Sequence, residues 1–173
     1  GPWSAARFWH ACSFRRWSTA EGPFRTHPGL PRGIRHEQEA TKLTMKTRPI
    51  LGSVTRIADL GKPPFALQEV PADDWSSGDY VMVEVLDVPR SAAGGFELPD
   101  GRGVTPMAGD FLVGALARRF ATLEATGSFE AVGDDGVLHV LTDAGCMGTL
   151  TSRSRFSPEL IEVAYRGHLL VQG

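Results

Sequence analysis

Two cysteines in 173 residues, Cys12 and Cys146, are too few and too far apart to build a disulfide scaffold. A reducing, cytoplasmic setting is the simpler expectation. No apolar run approaches the roughly 20 residues of a membrane-spanning helix, so no membrane association is expected. Charge of one sign is also lacking: the formal net charge is -2, which carries no nucleic-acid footprint. There is no GxxxxGK followed by Ser or Thr and no GxGxxG between a strand and a helix, so no phosphate-cradling loop is present. Metal spacing is missing as well, since His139 and His168 stand singly and Cys146 has no nearby Cys or His. Neither a metal nor a cofactor is expected. What the chain has in quantity is Gly 20 and Pro 12, which favours turns over long helices.

The charge divides the chain. Residues 1–44 hold seven basic against three acidic side chains, and the remainder holds eleven against seventeen. The first part contains Trp3, Trp9 and Trp17 but no apolar period of either kind, and Gly1-Pro2 has the look of a protease-cleavage scar. Residues 1–44 are therefore expected to be a disordered or non-native extension. An organellar transit peptide, or membrane or nucleic-acid contact through Phe14-Arg15-Arg16-Trp17, are the alternatives. Met45 opens the patterned part, and residues 45–173 are expected to form one compact domain.

That domain reads as short strands between turns. Candidates are residues 50–57, 65–70 and 80–88, the last being the best strand in the chain, with one face buried and the other partly covered. Pro99-Asp100-Gly101 and Asp143-Ala144-Gly145 each sit between β-type segments as hairpin turns. Residues 160–164 and 168–171 offer a last strand pair. Gly78-Asp79-Tyr80-Val81 and Gly109-Asp110-Phe111-Leu112 repeat one order, Gly-Asp-aromatic-apolar, and Gly133-Asp134 opens a weaker third copy. A Gly-Asp turn that launches a buried strand accounts for the repeat without a ligand. One helix is expected over residues 115–125, because Leu116, Phe120 and Leu123 recur at i, i+4, i+7. The predicted fold is mainly β, a small β-barrel or sandwich with one short α-helix.

Three chemistries can be written on these residues. Arg118 and Arg119 on the expected helix, with Arg153 and Arg155 after the last hairpin, could converge on an anionic small molecule, since guanidinium forks match phosphate and carboxylate. The plainer alternative is a solvated face with Arg–Glu pairs, such as Arg119 with Glu124 or Glu130. Cys146, His139 and Asp143 make a nucleophilic site on paper, although a cysteine after a turn glycine is more often a small apolar filler. Carboxylate pairs such as Asp73-Asp74 and Asp134-Asp135 fall in turns, where Asp bonds its own backbone.

The runs GDYVMVEVLDV, FELPDGR, GDFLVGALARRFATLEATGSFEAV and GTLTSRS resemble the small β-rich domain that precedes a P-loop nucleotide-binding domain in largely uncharacterised bacterial proteins. The likeness covers about residues 49–173, and no P-loop part is present. It implies a recognition or regulatory domain and hands over no catalytic residue. The leading expectation is a non-catalytic binding or regulatory module for an anionic small molecule or a neighbouring nucleotide-binding domain. A small Cys/His enzyme and a structural domain that forms a homodimer through an exposed sheet edge are the alternatives.

Overall fold

The computed structural model describes residues 48–91 and 95–170, so the expected extension over residues 1–44 lies outside the described residues. The strands are β1 (Ile50–Leu51), β2 (Leu67–Gln68), β3 (Tyr80–Asp87), β4 (Phe96–Glu97), β5 (Gly103–Val104) and β6 (Phe111–Leu116). They continue with β7 (Arg118–Ala121), β8 (Ala125–Ser128), β9 (Val137–Val140), β10 (Cys146–Arg153) and β11 (Glu162–Leu169). Short 3-10 turns at Ser53–Ile57, Ala72–Asp74 and Phe129–Ala131 join them.

The two Gly-Asp copies form the central pair. β3 and β6 run antiparallel with Tyr80 opposite Ala115 and Glu84 opposite Phe111. Gly78 (φ 97) and Gly109 (φ 89) supply the positive φ that each turn needs. Each following aspartate then closes its own turn: Asp79 Oδ2 accepts from the Ser76 N–H, and Asp110 Oδ2 from the Met107 N–H, both at 2.8 Å. The turns also clamp the ends of the ladder reciprocally. Gly78 N–H donates to Leu116 O at 2.8 Å and Leu116 N–H to Asp79 O at 2.9 Å. At the other end Gly109 N–H donates to Val85 O and Val85 N–H to Asp110 O, both at 2.8 Å. The third copy differs, because there Asp135 rather than Asp134 accepts, from the Val137 N–H.

Both faces of this pair are buried. Val81, Val83 and Val85 alternate into the main core with Leu112, Leu116, Leu138 and Val163. Met82 and Val113 point the other way and are covered by Phe65, Leu67 and Leu169, because β2 pairs with β11 and brings its segment over that face. The partly covered second face expected for residues 80–88 is therefore present.

The main sheet curls through β6, β3, β11, β9 and β10 into a ring that does not close into a full barrel. The free side of β6 is shared: β1 pairs with Leu112 and Val113, and β10 with Ala115 and Leu116. The β10–β6 seam thus has only two residue pairs. Gly114 lets the strands approach there, since a Cβ at that position would lie 2.2 Å from Gly145 O. The second half of β10 leaves the ring and pairs with β8, and β8 with β7, as a three-stranded antiparallel arm.

Several expectations are corrected. Residues 115–125 form no helix: they finish β6, build β7 and turn into β8, and among the described residues no helix reaches seven residues. Leu116 is fully buried but Phe120 is 75% and Leu123 is 88% exposed, so no continuous apolar stripe exists. The period that operates is two, with Arg118 and Phe120 out and Arg119 in. Residues 50–57 are a two-residue strand and a 3-10 turn, because Gly52 N–H bonds Val113 O and Val54 N–H turns to Ala144 O. The last strand pair is one strand, β11, with a register shift between Tyr165 and Gly167. The hairpins at Pro99-Asp100-Gly101 and Asp143-Ala144-Gly145 stand as expected.

The seam gives a stability test. Gly114→Ala should cost roughly 1 to 3 kcal/mol by overpacking against backbone that has no room to move. Gly101 faces open space at φ 85, and Gly101→Ala should cost only about 1 kcal/mol of backbone strain. Urea unfolding of both variants checks the order, and equal losses would show that the seam yields.

Candidate functional site

Arg118 and Arg119 are adjacent on a strand, so they point to opposite faces. Arg118 lies on the outer face of the arm, donates through Nε and Nη2 to the Glu130 carboxylate, and has its guanidinium 5.6 Å from the Phe129 ring centre. That guanidinium holds the Glu130 carboxyl below its usual range. Arg119 is 8% exposed. It donates to Leu141 O, at the start of the β9–β10 turn, and to the Glu124 carboxylate. Its neighbour across the ladder is Gly127, where a Cβ would meet a Leu141 methyl carbon at 2.6 Å. Glycine there leaves the space in which Leu141 and the buried guanidinium pack. The Arg119–Glu124 pairing weighed from the sequence is present.

The other two arginines lie at the far end of the arm. Arg118 stands opposite Ser128 and hence Thr149, whereas Arg153 stands opposite Ala125 and hence Ala121. Three residues of strand, roughly 10 Å, separate those levels. Arg153 donates to Ser157 O and has Glu159 Oε1 3.9 Å away. The Arg155 guanidinium sits 5.0 Å over the Phe156 ring. The four guanidinia are spread over the arm, and three of them face a carboxylate of the same chain.

What shares that surface is apolar. Phe120 is 75%, Leu123 88% and Phe156 86% exposed. A hydrogen bond from Ser154 N–H to Glu124 O (2.7 Å) sets the turn at residues 122–124 beside the turn at 154–157, so the three side chains occupy one end of the arm. Among the described residues β7 has β8 on one side and no strand on the other. A strand edge with outward aromatic and aliphatic side chains is a pairing surface rather than a catalytic one. Sequence reasoning missed it by assigning Phe120 and Leu123 to a helix face. No local signal marked it, because Arg118-Arg119-Phe120-Ala121 is two polar residues followed by two apolar ones and carries no period of two.

Cys146, His139 and Asp143 lie around the β9–β10 hairpin but in different surroundings. Cys146 is 2% exposed and packs with Ala117, Leu141 and Leu160. His139 Nδ1 takes the Leu150 N–H at 3.3 Å, and burial lowers its pKa, which favours the neutral ring. Asp143 is pushed upward by burial, against the pull of the Arg119 guanidinium and with the push of Glu97 and Glu124.

A second polar cluster had no sequence signal beyond isolated letters. Tyr165 Oη accepts from the Val70 N–H at 3.1 Å and lies 2.6 Å from His168 Nδ1. The Trp75 ring leans on Tyr165 at 4.6 Å between centroids, and its Nε1–H donates to Val70 O. His168 Nε2 is buried, has no hydrogen-bond partner among the described residues, and is 3.4 Å from Asp79 Oδ2. These contacts pin the segment carrying β2 to β11. Among the described residues no three His, Cys, Asp or Glu side chains gather as a metal ion would require, and no helix is long and apolar enough to cross a membrane.

No protein-family model, curated protein or solved structure matches the chain, so its function is read from this geometry.

Two measurements follow. Asp143 has a folded-state pKa raised by burial, so its charge costs stability above the carboxylate range and costs nothing once both states are protonated. Asp143→Asn should therefore stabilise the protein at neutral pH, with the gain shrinking as pH falls through that range in thermal melts. A gain independent of pH would assign it to packing. Secondly, Cys146 should resist iodoacetamide in the native protein and react after urea unfolding, with peptide mapping separating it from Cys12. Rapid native alkylation of Cys146 would restore the nucleophilic reading.

Proposed function

We propose that this chain is a non-catalytic binding module that recognises another protein surface through the β7–β8–β10 arm, working in the cytoplasm. The observation that carries the reading is the exposure of Phe120, Leu123 and Phe156 together at the end of an arm with an open strand edge. Burying such side chains is worth about 1.5 to 3 kcal/mol each, enough for a few of them to anchor a contact. A neighbouring nucleotide-binding domain, the partner implied by the likeness to bacterial P-loop proteins, belongs to this class of occupant.

An anionic small molecule is favoured less. It would have to draw Arg118 from Glu130 and Arg119 from Glu124 and the Leu141 carbonyl. The Cys/His enzyme is favoured less again, because its thiol is enclosed by Ala117, Leu141 and Leu160.

Anilinonaphthalene sulfonate, an apolar probe with one sulfonate, tests the reading. It should fluoresce on the native protein, and Phe120→Asp with Leu123→Asp should remove the signal while shifting Tm by no more than about 2 °C. Unchanged fluorescence in that double variant would move the contact surface off the arm. Pyrophosphate is the opposing probe: a rise in Tm with pyrophosphate, lost in Arg118→Ala, would favour the small anion.

A further inference from the structure

We propose that the partner seated on the arm is a second copy of this chain, with β7 pairing antiparallel to β7 of the other copy about a two-fold axis. This rests on the reading of the arm as a docking surface and specifies its occupant.

Charge distribution is the first argument. The arm, residues 118–130 and 149–159, carries four arginines against three carboxylates. The other described residues carry six basic against fourteen acidic side chains. Two copies approaching through any acidic part of the body push like charges together, whereas two arms meet with nearly balanced charge. The arm is thus the region where identical bodies can touch at low electrostatic cost.

The second argument is register. In a two-fold antiparallel pair that keeps one continuous sheet, the axis must pass beside a residue, so that outward positions face outward positions. An axis at Arg119 would set two guanidinia directly opposite, which is unfavourable. An axis at Phe120 sets the two exposed rings opposite each other, an aromatic cross-strand pair of the stabilising kind. It also puts Arg119 opposite Ala121 and Arg118 opposite Thr122, so neither pair opposes like charges. Burial of Phe120, 75% exposed in the single chain, is then reciprocal.

A ladder this short predicts a weak, concentration-dependent dimer rather than an obligate one, in the class of interfaces below about 1,200 Å². Its strength should rise with salt, because salt screens repulsion between the acidic bodies more than it weakens an apolar and backbone contact.

Light scattering and sedimentation of the full chain, from micromolar to near-millimolar concentration, test this. The expected result is a monomer–dimer equilibrium that tightens with added sodium chloride and disappears in Phe120→Asp. A Phe120→Cys, Cys12→Ser variant should cross-link to itself on mild oxidation, since opposed strand residues lie within disulfide reach. Asp134→Cys, Cys12→Ser, exposed elsewhere, should not. A monomer at every concentration overturns the proposal. So does a dimer that survives Phe120→Asp, or one that salt dissolves, which would indicate arginines pairing with an acidic face. If the fluorescent probe still marks the arm while the chain stays monomeric, the docking reading stands and only the second copy falls.

Discussion

The reciprocal clamp between two Gly-Asp turns governs this molecule. Each glycine takes a positive φ, each aspartate closes the turn behind it, and each turn bonds the far end of the opposite strand. A strand pair tied at both ends has one register. That matters because a one-residue slip would send Val81, Val83 and Val85 out of the core and bring Met82 in. The remaining strands dock onto a template that cannot slide. Ring, seam and arm all take their positions from it.

The seam shows how such a template limits closure. β6 has one free side, and β1 uses its first half while β10 uses its second. β10 therefore spends two residue pairs on β6 and two on β9, and has the rest of its length to build the arm. Glycines at 114 and 148 permit the close approaches on either side of that crossover, against Gly145 O and the Phe129 N respectively. The arm is a consequence of the ring failing to close. The one buried guanidinium among the described residues, that of Arg119, serves the junction by satisfying the Leu141 carbonyl where ring and arm part. A residue that looks like half of an anion-binding pair is, in this place, a bolt between two pieces of sheet.

Much of the strand framework is legible in the chain. The Gly-Asp repeat, the alternation around Val83, and the hairpin turns at Gly101 and Gly145 all report local preferences that the fold keeps. The candidate site was far less legible. Leu116, Phe120 and Leu123 satisfy a helical period by spacing alone, and nothing local distinguishes that from a strand, a turn and a hairpin arm. The decision falls to partners distant in sequence: Thr149 and Leu150 on β10 offer a ladder to Ser128 and Gly127, and β8 offers one to β7. Once period two applies, Arg119 goes in, Arg118 and Phe120 go out, and the meaning of every side chain in the stretch changes.

By itself, then, the sequence determined that this is a mainly β protein, where several of its turns fall, and that a Gly-Asp turn launches two of its buried strands. Those properties rest on backbone preferences of glycine, proline and aspartate and on short-range apolar alternation, which act over a few residues. Only the tertiary structure decided that residues 118–128 form an arm, that the four arginines do not converge, and that Tyr165, His168, Trp75 and Asp79 meet. Each of those depends on pairing between segments far apart in the chain, and hydrogen-bonded ladders of that range leave no periodic mark in either segment alone.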